Sequence, residues 1–170
     1  MGMDPGIDLL LGQMAIAELD EVHGLYSSAA GLPEPDCADN PLRYKITWTF
    51  EGVLMAYHRD GLLLRDGVEI TVPGAHMFKD EYIHMADFPV VGELEAYPNG
   101  DAIRYLDIFG LGKTVNTMGR FAMRYPGHCR FWQTLKDLGF LDETPLPGDG
   151  GSISPRQFLA HHLTPRLQFG

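Results

Sequence analysis

Cations, cysteines and long apolar runs are all scarce in this sequence, and each shortage excludes something. Lys and Arg total 13 against 23 Asp and Glu, a net charge of −10. Nucleic acid and anionic lipid both reward clustered Lys and Arg, so neither is expected as a partner. An anionic small ligand needs only a local group of donors and stays possible. No apolar stretch approaches the roughly 20 residues of a membrane span. Residues 7–19 do not read as a signal peptide, because no basic region precedes them and Asp8 interrupts their start. Cys37 and Cys129 lie far apart in no CxxC pattern, which points to free thiols in a reducing compartment, by default the cytoplasm.

Several catalytic signatures are missing too. "FGLGKT" (109–114) resembles a phosphate loop, but the glycine needed five residues before Gly-Lys-Thr is replaced by Asp107. No GxGxxG stands between a strand and a helix, so no nucleotide-binding half is expected here. The seven histidines are scattered, without HExxH or Cys/His pairing at ligand spacing, and no metal site is expected. No GxSxG elbow exists, and Cys129 directly follows His128, the wrong arrangement for an activated thiolate.

What is present is one domain's worth of patterned chain, 170 residues long. Residues 7–19 carry a helical pattern with a wide apolar face, and 22–31 read as a strand. The loop 32–41 is rich in Pro and Asx turn formers. Residues 43–52 alternate Tyr44, Ile46, Trp48 and Phe50 against polar neighbours, which predicts a strand. A hairpin is expected over 62–72 around Asp66-Gly67, with further strands over 92–97 and 113–125. Helices are expected over 127–139, closed by Gly139, and over 154–163, with Ser154 as N-cap and Pro155 in the first turn. Hairpin-connected strands interrupted by helices imply an α+β fold, a mixed, mostly antiparallel sheet with helices on one face.

One stretch carries chemistry, "RFAMRYPGHC" (120–129). Arg120 and Arg124 share a strand face because their separation is even. Tyr-Pro-Gly then leads to His128 at the start of a helix, where free N–H groups and the dipole favour an anion. The three residues are a candidate seat for a carboxylate, with His128 as candidate catalytic proton carrier because imidazole titrates near neutrality.

Three blocks, "GMDPGID", "AGLPEPDCADNPLRYKITWTFEGVLMA" and "RYPGHCRFWQTLKDLGFLDETP", resemble the saccharopine dehydrogenase (reductase) family in order and near-family spacing. The resemblance covers essentially the whole of 1–170 and is to that family's second domain, the substrate-binding and dimerising one. It implies a sheet similar to the C-terminal domain of glyceraldehyde-3-phosphate dehydrogenase-type enzymes. It also implies a Rossmann domain of the same polypeptide ahead of Asp4, a closing segment beyond Gly170, and a homodimer. The implied cofactor is NAD or NADP, held mainly by that Rossmann domain, with Gly6 near the nicotinamide. The implied activity is oxidation or reduction at the C–N bond of an amino acid in lysine metabolism; the alternative is a non-catalytic dimerisation or ligand-binding module.

The resemblance also places substrate contacts. They are Trp48, the loop Val72, Pro73 and Gly74, and Arg124 with Tyr125, beside Arg120. This sequence departs from the family pattern at three points: Glu51 replaces a carboxylate-binding arginine, Ala29 a cysteine and Leu9 a histidine. An anion at position 51 repels a dicarboxylic moiety and suits a substrate ammonium. That variant is more similar to the lysine 6-dehydrogenase-like branch.

Overall fold

The computed structural model describes residues 2–112, 114–147 and 153–169. In chain order its elements are α1 (Ile7–Ala17), β1 (Gly24–Ala30), α2 (Phe50–Ala56), β2 (Gly61–Arg65), β3 (Val68–Val72), β4 (His84–Phe88), β5 (Gly92–Pro98), α3 (Arg104–Ile108), β6 (Thr117–Arg124), α4 (His128–Asp137) and α5 (Pro155–Leu167). The strands form one six-stranded sheet in the order β3-β2-β6-β5-β4, with β1 added against β6. Among the strand pairs of the described residues only β1–β6 is parallel, with Gly24 opposite Thr117 and Ala30 opposite Met123. The α+β class and the mostly antiparallel sheet read from the sequence are therefore present.

Local signals explain most elements. Asp66 and Gly67 both take positive φ (52° and 76°), the geometry of a two-residue hairpin turn matched to strand twist. Ser154 and Gln157 form a reciprocal capping box at the start of α5, with Pro155 in the first turn. Gly139, at φ 76°, ends α4 in the left-handed conformation. α5 runs on past its expected end at 163 to Leu167, through Pro165.

The clearest correction is 43–52, which forms no strand. Asn40 wraps the turn before it: its Oδ1 accepts from Leu42 N–H (3.1 Å) and Tyr44 N–H (3.4 Å), and its Nδ2 donates to Tyr44 O (2.8 Å). The chain then lies along the end of α5, where Ile46 N–H donates to Leu167 O and Lys45 Nζ to Gln168 O. Phe50 opens α2 instead of closing a strand. An alternating pattern specifies a strand only if a sheet edge is there to receive it, and here a helix C-terminus offers the acceptors.

The helices meet the sheet face that bears Tyr97, Arg120 and Arg124. Asp8 of α1 and Tyr105 of α3 reach Arg120, while His128 of α4 stacks on Tyr97. Between them lies an aromatic core around Trp132, which is fully buried, with Tyr44, Phe50, Tyr57 and Phe78. The opposite face carries Phe121 with Tyr26 and His84 edge-on to it. The wide apolar face expected for α1 is not buried: none of its residues is, and Ile7, Leu10, Leu11 and Met14 are more than half exposed.

Candidate functional site

The strand-to-helix corner holds its anion seat, and the protein fills it. Gly127 (φ 98°) turns the chain into α4. The N–H groups of Gly127 and Cys129 both donate to the carboxylate of Glu95, which faces Arg124 across the β5–β6 ladder. A helix N-terminus attracts an anion; here the anion is an internal side chain, not a ligand.

His128 lies in the core rather than on a cleft, a correction to its reading as an accessible proton carrier. It is 1% exposed, and its Nε2 is 2.9 Å from the Tyr57 hydroxyl. Tyr44, Phe78, Tyr97 and Trp132 ring it. Burial, reinforced by the Arg124 charge, holds its pKa well below the ordinary value, so the imidazole is neutral at pH 7. Its neighbour Cys129 is likewise inert, since burial first and Glu95 second push the thiol pKa up.

Arg120 and Arg124 share a face but are not brought together. Four steps along the strand separate them by roughly 13 Å. Arg120 ion-pairs with Asp4 and with Asp8 (2.7 Å) beneath the Tyr105 ring. Its charge is thus spent on the Asp-Pro-Gly turn, where Asp8 also accepts from Gly6 N–H and Asp4 from Asn99. Arg124 lies over Tyr44, 5.4 Å from the ring centre, and donates to the Met123 carbonyl. Tyr125 is buried under Arg43.

Trp48 and Glu51 do come together. They line an open cleft of about 530 Å³ between residues 46–51 and α5, facing Ile46, His161, Thr164 and Pro165. Trp48 is 55% exposed. Its indole lies against Gly52, where a Cβ would stand 2.3 Å from the ring, so glycine makes room for it. The Glu51 carboxylate is well exposed and has a loose contact, 3.8 Å, with Arg156.

The Val72–Gly74 loop borders a different cavity, of about 210 Å³, lined by His58, His76, Lys136 and Asp142 among others. Val72 and Gly74 are buried; Pro73 is exposed. Gly74 N–H donates to Asp60 (2.7 Å), and Lys136 Nζ donates to both Gly74 O and Tyr57 O. Lys136, unread in the sequence, thereby ties the loop and the end of α2 to α4. Its spacing, three residues after Gln133, which holds Ala75 O, was the available signal.

Burial pushes the Lys136 pKa down to about 8 from 10.5. Between these values the unfolded chain binds more protons than the folded one, so stability rises with pH across that window and the burial cost is complete below it. After discounting for solvent screening, the expected gain is about 1–2 kcal/mol. Urea unfolding at pH 7.5 and 10 should show it in the parent chain but not in Lys136→Met; equal pH slopes in the two would refute it.

Gly6 allows a direct test of fit to a dinucleotide. A Cβ there would stand 1.8 Å from the carbonyl oxygen of Gly2, so the turn makes room for its own backbone. The space beside Gly6 is thus filled by the chain itself. Among the described residues no helix is long and apolar enough to cross a membrane, and no group of three or more His, Cys, Asp or Glu could hold a metal ion.

The family model for the saccharopine dehydrogenase C-terminal domain matches residues 2–170. Alpha-aminoadipic semialdehyde synthase, mitochondrial, from Bos taurus is 34% identical over 151 residues, covering 86% of this chain and 16% of that protein. Saccharopine dehydrogenase [NADP(+), L-glutamate-forming] from Pyricularia oryzae is 34% identical over 156 residues, covering 86% of this chain and 33% of that protein. The solved apo histidine-tagged saccharopine dehydrogenase (L-Glu forming) from Saccharomyces cerevisiae aligns with a TM-score of 0.74 at 30% identity, over 84% of this chain and 32% of that one. The chain thus spans a third or less of the length of these relatives.

Proposed function

We infer the function from one premise: this chain belongs to the saccharopine dehydrogenase C-terminal domain family. On that premise it is the substrate-binding and dimerising domain of an NAD(P)-dependent oxidoreductase that acts on the C–N bond of an amino acid in lysine metabolism. The relatives' names, which specify NADP(+) and glutamate formation, support the reaction class. The remaining two thirds or more of their length leave room for a Rossmann domain of the same polypeptide. The apolar side chains that α1 exposes support a covering domain of that kind. A sheet of the glyceraldehyde-3-phosphate dehydrogenase C-terminal type, a homodimer and a cytoplasmic location complete the reading. Two unpaired cysteines are in keeping with the last.

The nicotinamide cofactor supplies the hydride donor or acceptor when the Rossmann domain holds it. The part assigned to this chain is to bind and orient the amino acid. Gly6 and the Asp-Pro-Gly turn belong to the edge that the cofactor approaches, and Val72, Pro73 and Gly74 to the substrate loop. The observation that carries the reading is the cleft shared by Trp48 and Glu51. An exposed carboxylate three residues from an exposed indole suits a substrate ammonium, by charge and by cation–π attraction. The contact with Arg156 is long enough for an ammonium to compete.

The expected result for Glu51→Gln in the full-length enzyme is a KM for lysine raised roughly tenfold, with kcat little changed, since ground-state binding is what is lost. An unchanged KM removes Glu51 from the site. Turnover on saccharopine but not lysine would place the substrate with the glutamate-forming relatives instead. The alternative reading is a non-catalytic dimerisation or ligand-binding module. It predicts no nicotinamide reduction by the full-length protein with either substrate.

A further inference from the structure

Among the described residues three enclosed cations are paired with carboxylates, while Lys136 is held by two backbone carbonyls and Arg124 by one. Lys45 has Asp39, Arg120 has Asp4 and Asp8, and Arg156 has Glu143. Arg124, largely enclosed by Tyr44, Tyr57 and Tyr97, makes no ion pair among the described residues, because Glu95, opposite it on the β5–β6 ladder, is held by the N–H groups of Gly127 and Cys129. Its Nε–H finds no acceptor. The Tyr44 hydroxyl, on a residue only 1% exposed, faces the Arg124 guanidinium that covers its ring but makes no well-formed hydrogen bond. A buried charge and buried donors left unmatched are costly unless a partner arrives from outside.

Arg43 lies next to this group in an unusual conformation. Among the described residues it is one of two non-glycine residues with positive φ (48°), and unlike Asp66 it is not in a hairpin turn. The Asn40 side chain imposes it, by bonding the backbone on both sides of residue 43. The result is a guanidinium laid flat on the Tyr125 ring, 3.7 Å from its centre, with no side-chain or carboxylate partner among the described residues. The contacts are reciprocal: Arg43 stacks on Tyr125 while Arg124 covers Tyr44. A stacked guanidinium keeps its N–H edge free, and that fork matches a carboxylate. Strain held by a dedicated side chain, at a residue that pairs with nothing internal, is a mark of a binding position.

We propose that Arg43 and Arg124, with the Tyr44 hydroxyl, form the seat for a substrate carboxylate, and that Arg43 takes the part first given to Arg120. This rests on the amino-acid-binding reading above and adds to it the residue that receives the acid end. Arg120 is excluded by its two aspartates. Arg43, exposed at the surface, is the point of entry, and Arg124 is the inner anchor.

Glutarate, a dicarboxylate without an ammonium, tests the seat separately from Glu51, and 1,5-diaminopentane tests Glu51 separately from the seat. Both would be titrated into this chain and followed by amide NMR shifts. Glutarate should shift the amides of 43–45 and 124–125, and Arg43→Gln should weaken its binding roughly tenfold or more. Arg130→Gln, which also removes a positive charge, should leave it unchanged. Because Arg43 is exposed, its replacement should leave the far-UV spectrum and melting temperature in place, whatever Arg124→Gln does to folding.

No shift with glutarate, or equal loss in Arg43→Gln and Arg130→Gln, overturns the proposal. So does inorganic phosphate competing as well as glutarate, because it would mark a general anion site. Failure with glutarate alongside an intact, Glu51-dependent response to the diamine would leave the ammonium reading standing. The reverse would retain the seat and remove Glu51.

Discussion

Gly74→Ala is expected to cost at least about 3 kcal/mol of stability, lowering the melting temperature by roughly 6–12 °C in a chain of this size. The added Cβ would stand 2.1 Å from the carbonyl oxygen of His58 and 2.5 Å from its carbon. Both are backbone atoms at the end of α2, so no rotamer change relieves the contact. The loop is held on three sides. Asp60 takes Gly74 N–H, Lys136 takes Gly74 O, and Gln133 takes Ala75 O. A methyl group therefore has to push the loop away from α2 and break those bonds, or push the end of α2 away from Tyr57 and the aromatic core. Urea unfolding of the variant measures the loss, and a change below 1 kcal/mol would show that the loop yields freely. On the proposed substrate-loop role of Val72 and Pro73, the same displacement should raise substrate KM in the full-length protein in parallel with the loss of stability.

The sequence was most readable where a signal is satisfied by neighbours a few residues away. Asp66-Gly67, the Ser154–Gln157 capping box and Gly139 each complete their own hydrogen bonds or backbone geometry, and each lies where its pattern placed it. The failures share the opposite property. Residues 43–49 alternate like a strand, yet their partner is the end of α5, over 100 residues later, where Gln168 O receives Lys45. α1 has an apolar face that these residues do not cover. α3 and β4, at five residues each, carry too little periodicity to be read.

The site divides along the same line. Trp48 and Glu51 are three residues apart at the start of one helix, and local geometry alone brings them to one cleft. Arg120 and Arg124 were correctly placed on one strand face. What each would pair with could not be read, because Asp4 and Asp8 lie 112 or more positions from Arg120. Arg43 gave no signal at all, since its conformation is set by Asn40 and its stacking partner is on another strand's end.

The second large effect is expected at Glu95, the residue that fills the anion seat read from the sequence at the start of α4. Glu95→Gln should cost about 2–4 kcal/mol. Its two carboxylate oxygens accept separately, one from Gly127 N–H and the other from Cys129 N–H. A carboxamide has one acceptor oxygen and sets an NH₂ group against the remaining N–H, leaving a buried donor facing a donor. The helix dipole also loses the full negative charge it favours. Arg124, directly across the β5–β6 ladder, loses an opposite charge on its own sheet face. Water can reach Gly127, which is exposed, but Glu95 is 8% exposed and Cys129 1%, so a donor left unmatched on the Cys129 side has little access to water. Urea unfolding would give the magnitude, and amide exchange at Gly127 and Cys129 would show whether the first turn of α4 frays before the rest. A loss under 0.5 kcal/mol with unchanged exchange would mean that α4 starts without this carboxylate. The corner would then be open to an external anion after all, and Arg120, not Glu95, would be the residue whose internal pairing had decided where a substrate carboxylate can bind.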